Sequence, residues 1–288
     1  MLWLFFALLA PALWAITNII DDELIDSHTG TPAVLVTITG FFAIIPFFIA
    51  LFSGSMEWPG YTVLFFSIMS GVIGLLVYFP YFFALKISDP APAMLMWNLT
   101  PAFVVGASIL FFGIHPSFVE YVAIGILIVS SLIVGYKKGS RFDVNKAFPW
   151  MFFASILSAV EIVCTKVVFN HTSFLTGLGW ISLAIFLTAL VLFMSSYSIR
   201  QRLRQHSKGL WKEITIDELL DSGAQVARNY AISAGPIVLV KAAEGLQPLF
   251  VLFFSLFMVH KRSSVPVTRL IIAAVIAIVG LLFMRSFE

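Results

Sequence analysis

The stretch Leu99-Thr100-Pro101-Ala102-Phe103-Val104 returns as Leu246-Gln247-Pro248-Leu249-Phe250-Val251, 147 positions further along the chain. The two copies agree at Leu, Pro, Phe and Val. The same offset aligns Phe5-Phe6-Ala7 with Phe152-Phe153-Ala154, Thr29-Gly30 with Thr176-Gly177, Ala84 with Ala231, and Ser108 with Ser255. A single match in apolar sequence carries no weight. One register held without a gap, through loops as well as apolar runs, reads as an internal duplication.

What is duplicated follows from composition. The 288 residues are 60% apolar and 11% charged, with a mean hydropathy of +1.01. Soluble domains carry roughly 25% charged residues because their surface faces water. Here 17 Lys and Arg with 15 Asp and Glu are too few to coat a globule of this size. The same figures exclude a disordered chain. Cys164 is alone, which excludes a disulfide scaffold. A net charge of +2 gives no footprint for nucleic acid.

A helix needs roughly 20 mostly apolar residues to cross the hydrocarbon core. Ten runs qualify: 2–20, 32–53, 61–86, 90–113, 118–136, 147–168, 174–197, 212–234, 236–259 and 266–285. The reading is an all-α polytopic membrane protein with ten transmembrane helices. Residues 1–138 form a first five-helix repeat and 147–286 a second. Five is odd, so the halves enter the membrane from opposite sides and are inverted repeats, an architecture of alternating access. The N-terminal run has no basic leader, so it is expected to be retained.

Lys137, Lys138, Arg141, Lys146, then Arg200, Arg202, Arg204, Lys208, Lys212, then Lys261, Arg262, Arg269 follow spans 5, 7 and 9. The loops after spans 2, 4, 6 and 8 have no Lys or Arg. The positive-inside rule therefore puts the basic loops in the cytoplasm and both termini outside.

Charge inside a span costs about 2.5–3.5 kcal/mol at the bilayer centre and normally faces a cavity or a partner. The first half has almost none. The second half holds Glu161, Lys166, Arg228, Lys241 and Glu244, together with Glu213, Asp217, Glu218 and Asp221. Moving back by the repeat offset pairs Glu161 with Trp14, Glu244 with Trp97, and Lys241 with Met94. Gln225, Arg228 and Asn229 pair with Tyr78, Tyr81 and Phe82. One half offers an aromatic wall where the other offers a charged one, which suits an amphipathic or mixed-charge solute. The expected cavity residues are Trp14, Tyr78, Tyr81, Trp97, Asn98, Glu161, Gln225, Arg228, Lys241 and Glu244. Glu161 and Glu244 are the expected proton-coupling groups.

Blander readings stand beside these. Lys241 and Glu244 are one turn apart and can pair with each other. Arg228 can tie Glu161 or Glu244. Lys166 can snorkel to the interface. Glu213 and Asp217 fit a solvated or interfacial face. Pro101 and Pro248 read as shared kinks. Ser70, Gly71 and Gly74, and Ala102 with Gly106, are small residues suited to close helix approach. The five His are scattered, and no nucleotide-binding glycine loop or nucleophile motif occurs. Neither an enzyme, a metal nor a cofactor is expected.

The opening Ala10-Pro11-Ala12-Leu13-Trp14-Ala15-Ile16-Thr17-Asn18, the ten spans in two halves, and the prolines in the fourth helix of each half resemble the drug/metabolite transporter superfamily, EamA type. Ala231 to Pro248, with Gly235-Pro236 and Gln247-Pro248, is similar to the lead into that family's ninth helix. The resemblance covers the whole chain. It implies a ten-helix basket around a central cavity lined by helices 1, 3, 4, 6, 8 and 9, and export or exchange of small metabolites. Two features depart from the family pattern: the charge bias places the termini outside, and Asp21-Asp22 stand where many members carry Lys.

The expectation is thus a secondary transporter exporting or exchanging small organic metabolites by alternating access and proton coupling, in the cytoplasmic membrane of a prokaryote. Its partners are a small-molecule metabolite and the lipid bilayer, with no nucleic acid, as monomer or homodimer. The alternatives are a flippase for a lipid-linked or amphipathic solute, and a non-transporting receptor or assembly factor.

Overall fold

The computed structural model describes residues 2–26, 31–87, 97, 100–113, 115, 117–119, 121–122, 124–126, 129, 144–204, 208–258, 268, 272, 275–276 and 279. Regular structure among them is entirely helical. The first half contributes α1 (Leu2–Asp26), α2 (Pro32–Phe42), α3 (Ile44–Phe52), α4 (Tyr61–Leu76), α5 (Tyr78–Leu85) and α6 (Thr100–Phe112). The second contributes α7 (Val144–His171), α8 (Phe174–Ser195), α9 (Tyr197–Arg204), α10 (Lys208–Ala234), α11 (Ile237–Glu244) and α12 (Gln247–Met258). Most of spans 5 and 10, the first part of span 4, and the loops at 130–143 and 259–267 lie outside the described residues.

Among the described residues, five segments are long and apolar enough to cross a membrane: Leu2–Asp21, Pro32–Phe52, Tyr61–Leu85, Phe148–His171 and Phe174–Ser195. Their outward faces are apolar. Phe48, Phe52, Phe65, Leu110, Val191 and Met194 all point away from the protein. Backbone groups are satisfied within each helix, so lipid is the solvent that suits such a surface. Trp58, Tyr61 and Trp180 cluster at one end of it, with ring centroids 5.7 and 5.9 Å apart. Trp180 Nε1 donates to the Glu57 carbonyl at 3.0 Å, the amphipathic arrangement favoured at headgroup level.

Three expected single spans are interrupted, each for the same reason. α2 ends at Phe42, α4 at Leu76 and α11 at Glu244, four residues before Pro46, Pro80 and Pro248. A proline has no N–H to bond the carbonyl four residues back, so the ladder loses a rung there. Pro11 and Pro149 sit inside continuous helices.

α1 packs along α10 more extensively than any other described pair does, and α4 along α7 comes next. α8 lies against α2, α3 and α4. The approach of α8 to α4 depends on Gly71. A Cβ there would stand 2.6 Å from the Ala184 Cβ and 2.9 Å from the Ile181 carbonyl oxygen. The small-residue face read from Ser70, Gly71 and Gly74 therefore does pack closely.

Candidate functional site

α1, α4, α5, α7, α8, α10 and α11 line a partly open cavity of about 130 Å³. Of the expected residues, Trp14, Tyr78, Tyr81, Trp97, Glu161, Gln225, Arg228, Lys241 and Glu244 all line it. Asn98 lies outside the described residues. Pro101, in the first turn of α6, lines it too.

The charged wall is a closed quartet from three helices. Arg228 Nη1 donates to Glu161 Oε1 at 3.0 Å, and its Nη2 donates to Glu161 Oε2. Its Nε reaches Glu244 Oε1 at 3.2 Å. Lys241 Nζ donates to Glu244 Oε2 at 2.5 Å. Thr165 adds a hydroxyl to Glu161 Oε1 at 2.8 Å and joins Ser70 at 2.7 Å. All four charged residues are buried. Two acids and two bases leave the quartet neutral, and charge is tolerated in a dry interior on that condition. No cation lies one turn from Glu161 on its own helix, but α10 brings Arg228 to it. Both blander pairings, Lys241 with Glu244 and Arg228 as a tie, are present together.

The aromatic wall sits across from it. Trp14 Nε1 donates to Asp221 Oδ1 at 2.8 Å, and Tyr78 OH donates to the same oxygen at 3.0 Å. Gln225 Nε2 donates to Tyr78 OH at 2.9 Å. Tyr81 and Trp97 meet edge to face with centroids 5.5 Å apart. Tyr81 OH lies 2.6 Å from Asn18 Oδ1 and 3.2 Å from Asp21 Oδ2.

These contacts repeat under the 147-residue offset. Gln225 and Tyr78 are offset mates and bond each other directly. The Arg228–Glu244 ion pair corresponds to the Tyr81–Trp97 ring contact. The Trp14–Asp221 hydrogen bond corresponds to Glu161 beside Gly74, where an added Cβ would meet Glu161 Cγ at 3.5 Å.

Two expectations need correction. Asp217 is not on a solvated face: it is 5% exposed, while Glu213 one turn away is exposed as expected. α10 rolls its acidic stripe inward against α1 beyond Glu213. Lys166 does not snorkel. Its Nζ donates to the carbonyls of Ile232 at 2.8 Å and Gly235 at 3.1 Å, capping the C-terminus of α10.

Sequence reasoning missed Asn18 and Asp21 in the cavity wall. The signal was present, since Trp14, Asn18 and Asp21 fall at i, i+4 and i+7 on one face of α1. Thr39, whose hydroxyl donates to Glu218 Oε1 at 2.8 Å, carried no such signal.

Residues 1–136 match the family model described as the EamA-like transporter family. Over this stretch, just under half of its length, the chain is similar to that family. EamA-like proteins are membrane transporters, in keeping with the apolar helices and the cavity. No curated protein matches the chain. Among solved structures, a crystal structure described only as that of a protein is similar at a TM-score of 0.70, with 18% identity. It covers 99% of each chain, so the two share a fold along their whole length. Among the described residues, no group of His, Cys, Asp or Glu could hold a metal ion.

Proposed function

We propose that the chain is a secondary transporter of small organic metabolites, built as two inverted five-helix repeats that alternate access to the central cavity. The observation that carries this reading is the hydrogen bond between Tyr78 and Gln225. Residues equivalent under a two-fold operation touch only beside its axis. A mate-to-mate bond inside a cavity thus supports an axis running through the site, with the substrate where the halves meet. The correspondence of Arg228–Glu244 with Tyr81–Trp97 supports the same axis.

The site offers aromatic faces on one side and a hydrogen-bonded charge quartet on the other. A substrate carrying its own charge would compete with one bond of the quartet, and that exchange is the step that can distinguish loaded from empty protein. The basic helix α9, with Arg200 held on the carbonyls of Phe193 and Met194, faces the cytoplasm of a prokaryotic cell in this reading.

The test is counterflow in proteoliposomes across a library of small metabolites. The expected result is uptake of at least one labelled solute driven by the same solute inside, abolished by Arg228→Leu. A folded protein that moves no solute, yet is stabilised by a second membrane protein, would overturn transport in favour of a receptor or assembly role.

A further inference from the structure

The two ends of the outward apolar surface differ in charge. At one end Trp58, Tyr61 and Trp180 cluster beside exposed Glu57. At the other lies the run 196–213, which carries Arg200, Arg202, Arg204, Lys208 and Lys212 against a single acid, Glu213. α8 crosses between the two, with Trp180 near its start and Arg200 just beyond its end.

α9 has the two sides of a helix that lies at a surface. Ile199 is buried and Leu203 half-buried, in a cluster with Leu24 of α1, Val34 and Ile38 of α2, and Ile214 of α10. That cluster draws on both halves of the chain. The other side of α9 is polar, with Ser198, Gln201 and Arg202 exposed. Arg200 is half-buried and held twice. Its Nη1 donates to the carbonyls of Phe193, at 3.2 Å, and Met194 at the end of α8. Its guanidinium carbon stands 6.0 Å from the centroid of the Tyr197 ring, a cation over an aromatic face. Those carbonyl bonds use neither Nη2 nor Nε, so the fork keeps donors for an anion. Among the described residues, neither Arg200 nor Lys212 forms an ion pair.

Two apolar rows lead up to this patch. Leu187, Val191 and Met194 are exposed at i, i+4 and i+7 on α8, and the row runs on to Tyr197 and Arg200. On α10 the exposed residues Lys212, Ile216 and Leu219 have the same spacing, with Trp211 exposed beside Lys212. Each row is a lipid-facing lane that ends in an aromatic ring and a cation. The lanes suit the acyl chains of any phospholipid, and the rings suit headgroup depth. Charge selects among the lipids, because a basic segment at the membrane edge attracts anionic headgroups and is indifferent to neutral ones. We propose that α9 and the first turns of α10 form a docking surface for anionic phospholipid, with headgroup phosphate on Arg200, Arg202 and Lys212 and acyl chains along the two rows. Ile199 sits where α1, α2 and α10 meet, so a headgroup held on α9 braces the junction of the two halves at that end. The inference needs the chain to sit in a bilayer and does not need it to transport.

The experiment compares two lipids. Thermal unfolding of the full chain is followed in detergent micelles doped with phosphatidylglycerol or with an equal amount of phosphatidylcholine. The proteins are wild type, Arg200→Gln/Arg202→Gln/Lys212→Gln, Lys212→Gln alone, and Lys86→Gln at the end of α5. The quantity read is the difference in Tm between the lipids, so stability lost with the Arg200 carbonyl bonds cancels. A ligand of the folded state raises Tm. The expected result is a Tm several degrees higher in phosphatidylglycerol for wild type and Lys86→Gln, a smaller gain for Lys212→Gln, and none for the triple variant. High salt should shrink the wild-type gain, since exposed charges are screened. If the triple variant fails to fold, Arg202→Gln/Lys212→Gln decides by the same difference. Equal wild-type Tm in the two lipids, or a full gain kept by the variants, overturns the proposal. A gain that inorganic phosphate reproduces in phosphatidylcholine overturns it in favour of a free-anion site.

Discussion

α4 and α10 occupy equivalent places in the two halves, and three of their equivalent positions carry opposite chemistry. Ser70, Gly71 and Gly74 on α4 are matched by Asp217, Glu218 and Asp221 on α10. On α4, Gly71 lets α8 approach until an added methyl would clash, while Ser70 and Gly74 lie beside Glu161 at the cavity. On α10, Glu218 accepts a hydrogen bond from Thr39 of α2, and that helix packs against α2 and α3 far less extensively than α4 does against α8. The two helices thus match in sequence offset and differ in what their buried faces do. Gly71 makes a tight seam with α8, and of the three acids Asp221 lines the cavity.

The comparison breaks most severely at Arg228, where the two halves join. Arg228→Leu leaves Glu161 without its guanidinium and Glu244 with Lys241 alone. Removing one partner from a buried ion pair costs about 3–5 kcal/mol, because the charge left behind is uncompensated. The expected outcome is a loss of that order in thermal unfolding. Glu161→Gln in the same background should recover part of it. A lack of recovery would mean that Arg228 acts on the fold through something other than its carboxylates.

The seam is tested by Gly71→Leu. Overpacking typically costs about 1–3 kcal/mol, and here the obstructing atoms include backbone. The prediction is a Tm reduction that Ala184→Gly partly relieves. An unperturbed Tm would show that α8 is free to move off α4, and the contrast with α10 would lose its basis.

The seam was legible in sequence and the acidic wall only half so, for a physical reason. A run of small residues has one structural use in a span, which is close approach. A stripe of acids has two, facing water or facing a cavity, and both give the same period. Asp217 took neither use, being buried in protein where α10 lies along α1 and brings Asp221 under Trp14. That is a fact of packing between segments some 200 residues apart, to which local spacing is blind. The repeat offset did better at long range. It placed Glu244 opposite Trp97 in role before any contact was known, and both line the cavity. The helix breaks at Phe42 and Leu76 were legible in principle, since Pro46 and Pro80 name them, but apolar run length alone hides them.

A smaller effect is expected at the far end of α10. Lys166 bonds the carbonyls of Ile232 and Gly235, groups that the helix terminus leaves without partners. Lys166→Met keeps the stem and removes the donors, at a cost of about 1 kcal/mol or somewhat more for hydrogen bonds from a charged group. Lys166→Arg should retain most of it. If both substitutions are silent in thermal unfolding, the ammonium is replaceable by water and the end of α10 is wetter than its burial implies.

The finest test is at the axis. Tyr78→Phe removes the hydroxyl that Gln225 and Asp221 share, and Gln225→Ala removes the other end. Singly, each deletes one hydrogen bond of a part-buried network, worth about 0.5–1.5 kcal/mol. The informative quantity is their coupling in a double-mutant cycle, which isolates the mate-to-mate term. A coupling near 1 kcal/mol is expected if the two halves bear on each other there at rest. The cycle should then be repeated under conditions that favour the opposite opening of the cavity. Residues on a two-fold axis stay neighbours when the halves rock about it, so the coupling should survive. Its disappearance would place the pivot elsewhere and demote the Tyr78–Gln225 bond from hinge to gate.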